Sequence, residues 1–142
     1  AMKSIFKEWR EYLSENESPD TSQVVKVILL NKNNHVLFLK RSNYMEKYAG
    51  EMDLPGGHIK ENESLLDGLK REVEEETGLK IFRATLHTKK ENIAYFRSIY
   101  EKGNIILSNE HTDHAFIDVT QIENPSKFEK IAIEVVKDEQ FR

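Results

Sequence analysis

The spacing of apolar residues changes several times along the chain, and each spacing predicts one type of element. Apolar residues at helical intervals predict a short helix over 5–13, and a polar stretch with a proline follows over 14–22. The β-branched run at 23–30 predicts a buried strand, and a second strand is predicted over 35–40 after an asparagine-rich turn. The first part of the chain therefore predicts a helix, a linker and two strands.

The rest of the chain mixes strand and helix patterns. A helix is predicted over 64–77, where Ser64 is placed to cap its start and Gly78 to end it. Further strands are predicted over 80–88, 92–100, 105–108 and 114–119. Residues 42–53 are predicted to form a loop, and the apolar stripe over 126–138 predicts a last helix.

Length and composition predict one α/β domain. A chain of 142 residues with 38% hydrophobic residues can bury one core, and its 32% of charged residues indicates a globular rather than a disordered chain. The mixture of strands and helices predicts a layered α/β fold around a mixed sheet. Within the single domain 1–142, residues 1–22 are expected to form an N-terminal helix and linker, and 23–142 the core.

Cysteine content and charge argue against several classes of protein. The chain has no cysteine, which predicts a reducing, cytoplasmic setting without disulfides. No apolar run approaches the ~20 residues of a membrane span, and the charged start does not resemble a signal peptide. A net charge of -4 argues against binding to duplex nucleic acid. It leaves phosphate substrates open, because a bound cation supplies positive charge locally.

Carboxylates crowd the C-terminal end of the predicted helix, at Glu72, Glu74, Glu75 and Glu76. At about 100° per residue, Glu72 and Glu76 lie one above the other with Glu75 beside them, so we expect these three to face one cleft. Like charges four residues apart repel each other, and acids are disfavoured at a helix C-terminus. A bound hard cation would relieve both penalties, and oxygen ligands suit Mg²⁺ or Mn²⁺ better than zinc.

The segment 57–79 resembles the signature of the Nudix hydrolase family, which includes MutT-like proteins. The signature is G-x5-E-x7-R-E-U-x-E-E-x-G-U, where U is a bulky aliphatic residue, and the matching residues are Gly57, Glu63, Arg71, Glu72, Val73, Glu75, Glu76, Gly78 and Leu79. The flanking stretches FLKRS, DLPGG and EHTDHAFIDV also resemble the surroundings of this box. The resemblance covers most of 23–138 and implies a Nudix-type α/β/α sandwich with the box helix against a mixed sheet.

The resemblance also implies a metal site and a base. Glu72, Glu75 and Glu76 correspond to the metal ligands of the family, and Gly57 to a residue that offers a backbone carbonyl to the metal. Glu72 is a candidate general base. Glu110 is a second candidate for the base or for a further metal ligand, with a solvated loop acid as the alternative.

Further residues are expected around this centre. Glu63 and Arg71 correspond to positions that support and orient the metal-binding carboxylates. The basic residues Lys40 and Arg41 are candidates for contacts with substrate phosphates, with plain strand-end charges as the alternative. Tyr95 lies at about the distance from the box where dinucleoside polyphosphate hydrolases of the family carry a tyrosine, although alternating aromatics equally predict a packed strand.

Two histidines raise the question of zinc. His111 and His114 could form a zinc pair, but the nearby acids are hard ligands and the chain has no cysteine. We therefore expect Mg²⁺ as the cofactor, with Mn²⁺ as a substitute.

The resemblance implies an enzyme that hydrolyses a diphosphate linkage in a nucleoside diphosphate joined to another moiety. The substrate classes are nucleoside triphosphates, dinucleoside polyphosphates and nucleotide sugars. The alternatives are a nucleotide-binding Nudix module without turnover and a protein whose acidic helix is an interaction surface. The expected partner is a small nucleotide-like substrate, with neither duplex nucleic acid nor a membrane, and a homodimer is left open.

Overall fold

The computed structural model describes residues 22–43 and 50–140. The helix predicted over 5–13 lies outside the described residues. The described part forms a mixed sheet of seven strands: β1 (Val24–Leu30), β2 (Val36–Arg41), β3 (Met52–Asp53), β4 (Gly56–His58), β5 (Thr85–Lys90), β6 (Ile93–Ile99) and β7 (His111–Ile117). A sheet of this kind fits the predicted α/β class.

The sheet has one parallel pair at its centre. Its strands follow the order β3-β2-β1-β6-β5, while β4 pairs with β1 and β7 pairs with β2. Strands β1 and β6 run parallel, with Val24 opposite Ile93 and Leu30 opposite Ile99. The other pairings are antiparallel, so the prediction of a mixed sheet is confirmed.

Helices cover both faces of the sheet. They are α1 (Leu65–Thr77) and α2 (Lys127–Gln140), and a short 3₁₀ turn covers Val119–Gln121. On one face, Ile28 and Leu30 of β1 belong to the cluster that contains Ile131 and Val135 of α2. On the other face, alternate residues of β1 pack with α1 in a cluster that includes Val25, Val27, Leu29, Leu69 and Val73. The α/β/α sandwich is therefore confirmed.

The ends of α1 match the helix predicted over 64–77. The side chain of Ser64 accepts a hydrogen bond from the N–H of Asp67 at 3.1 Å. Gly78 adopts a left-handed conformation with φ 75°, and its N–H donates to the carbonyl of Glu74. Glycine is favoured at this position because a side chain would be strained there.

The strand predicted over 105–108 is wrong. This segment does not join the sheet; instead, the N–H of Ile106 donates to the carbonyl of Thr77 at 2.8 Å, and that of Ser108 to Glu76 at 3.0 Å. The last carbonyls of a helix have no partner within the helix. The segment therefore anchors the end of α1.

Smaller differences concern strand lengths. The strand predicted from residue 80 begins only at Thr85. The region predicted as a loop over 42–53 ends in the short strand β3, and β4 is a further strand that the pattern did not predict. No helix in 22–43 or 50–140 is long and apolar enough to cross a bilayer.

Candidate active site

A cleft of about 650 Å³ lies where β1, β3, β4 and α1 meet the start of α2. Its charged lining residues are five acids and three bases: Glu51, Asp53, Glu72, Glu76, Glu110, Lys26, Arg41 and Lys127. The excess of carboxylates makes the cleft suitable for a cation.

Helix α1 places Glu72 and Glu76 in this cleft, one turn apart. Glu76 is only 3% exposed, and its Oε1 accepts a hydrogen bond from the N–H of Gly56 at 3.0 Å. Burial raises the pKa of Glu76 to about 8; the charges of Asp53 and Glu72 add to the rise, while Lys26 and the Gly56 hydrogen bond oppose it. A bound cation would favour the ionised form of this carboxyl, which fits a role as metal ligand.

Arg71 forms hydrogen bonds with three carboxylates of the box, those of Glu63, Glu72 and Glu75. Its Nε and Nη2 donate to Glu63 at 2.8 and 3.0 Å, and its Nη1 donates to Glu72 at 2.9 Å and to Glu75 at 3.3 Å. Nη2 also donates to the carbonyl of His58. The hydrogen bond from Arg71 lowers the pKa of Glu63 to about 2. A planar guanidinium with this many partners holds each carboxylate in one orientation.

Glu75 differs from the other two box glutamates. Its side chain is 57% exposed and contacts Arg71, and Glu75 does not line the cleft. Neighbouring residues on a helix point about 100° apart, and Glu75 accordingly lies to one side of the cleft that Glu76 lines. The prediction that three glutamates face one cleft therefore holds for Glu72 and Glu76 only.

The backbone of Gly57 lies directly against Glu72. A Cβ atom on Gly57 would lie 2.5 Å from Oε2 of Glu72, so a side chain at this position would displace the carboxylate. Gly57 and Glu72 both line the cleft. The cleft therefore holds the Glu72 and Glu76 carboxylates with the Gly57 backbone close to Glu72, and oxygen donors of these kinds fit Mg²⁺ or Mn²⁺.

The two basic candidates, Arg41 and Lys40, have different positions relative to the cleft. Arg41 lines the cleft, and its Nη1 lies 3.3 Å from Oδ2 of Asp53. Lys40 is exposed and is not among the residues that line the cleft. Glu110 is exposed and lines the cleft together with Glu72. The geometry therefore favours Arg41 over Lys40 as a residue that meets a ligand.

Tyr95 lies in the core. It is 1% exposed, and its ring packs edge-on against Phe128 with the centroids 6.2 Å apart. Burial raises the pKa of Tyr95 to about 12, and the nearby charge of Glu91 adds to the rise. This position favours the packing role over a contact with substrate.

A buried charged network that the sequence pattern did not reveal borders the cleft. Nζ of Lys26 donates to Oδ1 of Asp53 at 3.0 Å, and Nε2 of His111 lies 3.1 Å from Oδ2 of Asp53. Burial alone would raise the pKa of Asp53, but the hydrogen bond with His111 and the charge of Lys26 lower it to about 2. The available signal was Lys26, a single charge within an otherwise apolar strand.

The two histidines of β7 do not share a site. The side chain of His111 is 1% exposed and lies between Asp53 and Glu76, whereas His114 is exposed. The structure therefore gives no support to a zinc site formed by this pair.

Residues 20–138 match the family model described as the NUDIX domain. A curated relative, the 8-oxo-dGTP diphosphatase of Buchnera aphidicola subsp. Schizaphis graminum (strain Sg), is 42% identical over 64 residues, which cover 44% of this chain and 46% of the relative. The match thus spans about half the length of that relative.

Solved structures share the fold. The MutT protein from Methanosarcina mazei Go1 is similar with a TM-score of 0.64 and 26% identity, over 84% of this chain and 94% of that one. An Ap4A hydrolase from C. elegans has a TM-score of 0.67 and 14% identity, over 85% of this chain and 99% of that one. The NUDIX domain of Shewanella oneidensis NrtR, complexed with ADP ribose, has a TM-score of 0.62 and 21% identity, over 94% of this chain and 98% of that one. The low identities of the last two limit the likeness to the fold.

Proposed function

The chain belongs to the Nudix family, and from that membership we propose that it hydrolyses a diphosphate linkage in a nucleoside diphosphate joined to another moiety. The observation that carries the proposal is the close approach of the Gly57 backbone to Glu72, in a cleft that also holds Glu76. These groups supply hard oxygen atoms at the point where the acidic helix meets strand β4.

Mg²⁺ suits this donor set, and Mn²⁺ would replace it. We propose Glu72, Glu75 and Glu76 as its ligands, together with the carbonyl of Gly57. When bound, the cation would neutralise charge on the phosphoryl oxygens and lower the pKa of a bound water. Arg71 would keep Glu72 and Glu75 oriented through its hydrogen bonds at 2.9 and 3.3 Å.

A residue of the cleft would also accept the proton that the attacking water releases. A water molecule would form a bond to one phosphorus, the bond from that phosphorus to the bridging oxygen would break, and a carboxylate would accept the proton of the water. Glu72 is our first candidate because Arg71 fixes its orientation, and Glu110 is the second because it lines the same cleft. We propose that Arg41 attracts the phosphate charge of the substrate.

Nucleoside triphosphates are the first substrate class to test. The Buchnera relative acts on 8-oxo-dGTP, and its 42% identity covers less than half of either chain. Cleavage of a triphosphate between its α- and β-phosphates would give a nucleoside monophosphate and pyrophosphate. Dinucleoside polyphosphates and nucleotide sugars contain the same linkage and are the next classes.

The test is a substrate panel with defined metals. Nucleoside triphosphates that include 8-oxo-dGTP, dinucleoside polyphosphates and nucleotide sugars are incubated with Mg²⁺, with Mn²⁺ or with EDTA, and the products are separated by chromatography. We expect turnover of at least one class, which EDTA abolishes and Glu72→Gln strongly reduces. Full turnover in EDTA would contradict the proposal. Tight nucleotide binding without turnover would favour a binding module instead.

A further inference from the structure

Two buried side-chain atoms in the described part of the chain lack a hydrogen-bond partner, one just before β7 and one on its first residue. They are Nδ1 of His111 and Oγ of Ser108. The N–H of Ser108 donates to the carbonyl of Glu76 at 3.0 Å, and its carbonyl accepts from the N–H of His111 at 3.3 Å. Buried polar atoms are nearly always paired, so the unpaired Nδ1 of His111, which lies beside the Glu76 carboxyl, points to an absent partner.

The surroundings of His111 determine which ring nitrogen carries a proton. Oδ2 of Asp53 lies 3.1 Å from Nε2, and Asp53 also contacts Lys26 at 3.0 Å and Arg41 at 3.3 Å. An ionised carboxylate can only accept a hydrogen bond, so Nε2 carries a proton, and in the neutral ring Nδ1 then presents its lone pair. Nδ1 lies 3.4 Å from Oε2 of Glu76 and makes no hydrogen bond with it.

We propose that Nδ1 of His111 is a nitrogen ligand that, together with Glu76, binds a first-row transition-metal ion. Two ligands at about 2.1 Å from one ion, with an angle of 90° to 110° between them, lie about 3.0 to 3.4 Å apart. Nδ1 of His111 and Oε2 of Glu76 are 3.4 Å apart. This inference rests on the proposed function, because Glu76 is one of the proposed magnesium ligands.

The role of Asp53 supports this assignment. A metal-bound histidine usually donates its other ring N–H to a carboxylate, and Asp53 occupies that position. Asp53 is itself unsuited as a ligand, because its Oδ1 accepts from Lys26 and from the N–H of Leu54 while its Oδ2 contacts Arg41 and His111.

The nitrogen ligand has a consequence for metal choice. Imidazole suits cobalt, zinc and nickel, whereas carboxylates and carbonyls suit Mg²⁺. A site with oxygen ligands alone would bind cobalt, zinc or nickel ions only slightly more tightly than Mg²⁺. With His111 as a ligand, the position next to Glu76 would bind Co²⁺ more tightly than Mg²⁺, and the loss of the imidazole would reduce this preference.

The test uses Co²⁺ as a paramagnetic probe of the full chain. Co²⁺ is added to metal-free protein, and proton NMR is recorded in H₂O and in D₂O. We expect a strongly shifted, exchangeable proton from Nε2–H of His111 in the wild type and in His114→Gln, which is the matched control on the same strand. His111→Gln should lose this signal and raise the dissociation constant for Co²⁺ at least about tenfold. The constant for Mg²⁺ should change less than about threefold.

Three results would overturn the inference: a wild type that does not bind Co²⁺, a Co²⁺-bound wild type without a shifted exchangeable proton, or a shifted proton that persists in His111→Gln. If His111→Gln does not fold, pulsed electron paramagnetic resonance of the Cu²⁺-loaded wild type decides, because Cu²⁺ favours imidazole, a bound imidazole nitrogen modulates the echo, and its absence rules the ligand out. None of these measurements requires turnover. An inactive protein with the nitrogen signal would refute the proposed function alone, and an active protein without it would refute this inference alone.

Discussion

Glu72 and Glu110 are the two carboxylates we propose as proton acceptors, and their surroundings differ. Glu72 is 18% exposed in its side chain and is held by Arg71 at 2.9 Å. Glu110 is exposed, and its backbone carbonyl accepts a hydrogen bond from the N–H of Ser42. A base that is held in one orientation and still reachable from the cleft is better placed for proton transfer, which favours Glu72.

Glu72→Gln should reduce kcat by at least about 10³-fold, because it removes a carboxylate that we propose both as a metal ligand and as the base. The fold should be retained, with a change in unfolding free energy below about 1 kcal/mol, since the glutamine oxygen can still accept from Arg71, which also keeps Glu63 and Glu75 as partners. Steady-state kinetics at saturating Mg²⁺ and denaturant unfolding provide the measurements. Near-normal turnover in Glu72→Gln together with an inactive Glu110→Gln would move the base to Glu110.

Tyr95 tests whether a buried aromatic contributes to substrate binding. Tyr95→Phe keeps the ring that packs against Phe128 and should leave KM within about twofold of the wild-type value. Tyr95→Ala should lower the unfolding free energy by about 3 to 5 kcal/mol, as for other buried aromatic residues. A large rise in KM for Tyr95→Phe at unchanged stability would restore the substrate-binding role of the hydroxyl group.

Strand β4 contains two glycines with different physical roles. Gly56 has φ 135°, and a Cβ atom there would lie 2.0 Å from the carbonyl oxygen of Val25, which is rigid backbone. At Gly57 the nearest atoms belong to the end of the flexible Glu72 side chain, with Oε2 at 2.5 Å. Gly56 is therefore needed for the fold, and Gly57 for the position of the carboxylate.

The two alanine variants should separate these roles. Gly56→Ala should lower the unfolding free energy by at least about 2 kcal/mol, because it adds backbone strain and a clash. Gly57→Ala should change it by less than about 1 kcal/mol and should weaken Mg²⁺ binding, because Glu72 must move. Thermal unfolding and metal titration of both variants give the comparison. Equal losses of stability would show that Gly57 is only a structural glycine.

The elements that could be predicted are those with a local cause. Helix α1 follows from its apolar stripe, the Ser64 cap and Gly78, which are all visible within fifteen or so residues of sequence. The prediction for 105–108 is wrong because the apolar residues of this segment resemble a strand, whereas its hydrogen-bond partners are carbonyls at the end of α1. The buried network forms only through tertiary folding, which brings together Lys26, Asp53 and His111. No local sequence pattern predicts these contacts.

At the scale of the whole molecule, net charge limits the class of ligand. A protein that binds duplex DNA replaces counterions with Lys and Arg contacts to many phosphates. With a net charge of -4, we expect no stable complex with duplex DNA or RNA at physiological salt. A gel-shift titration with a random duplex should therefore show no complex at submicromolar protein, and a retarded band at that concentration would contradict the expectation.

The proposed metal binding in the cleft would stabilise the whole domain, because the lining residues come from both halves of the described chain. A ligand that binds only the folded state stabilises it, by about 2.7 kcal/mol at a hundredfold excess over Kd. Mg²⁺ should therefore raise Tm by on the order of 8 °C at that excess. Glu76→Gln should remove most of this rise.

The same variant should also raise the Tm of the metal-free protein. Glu76 is 3% exposed, and because burial raises its pKa to about 8, folding at neutral pH without metal requires Glu76 to take up a proton, a cost that glutamine lacks. A glutamine has the same size; its oxygen can accept the hydrogen bond from Gly56, and its amide N–H can donate to Nδ1. Differential scanning fluorimetry of both proteins, with Mg²⁺ and with EDTA, tests the coupling. If Mg²⁺ stabilises Glu76→Gln as much as the wild type, then Glu76 is not a metal ligand.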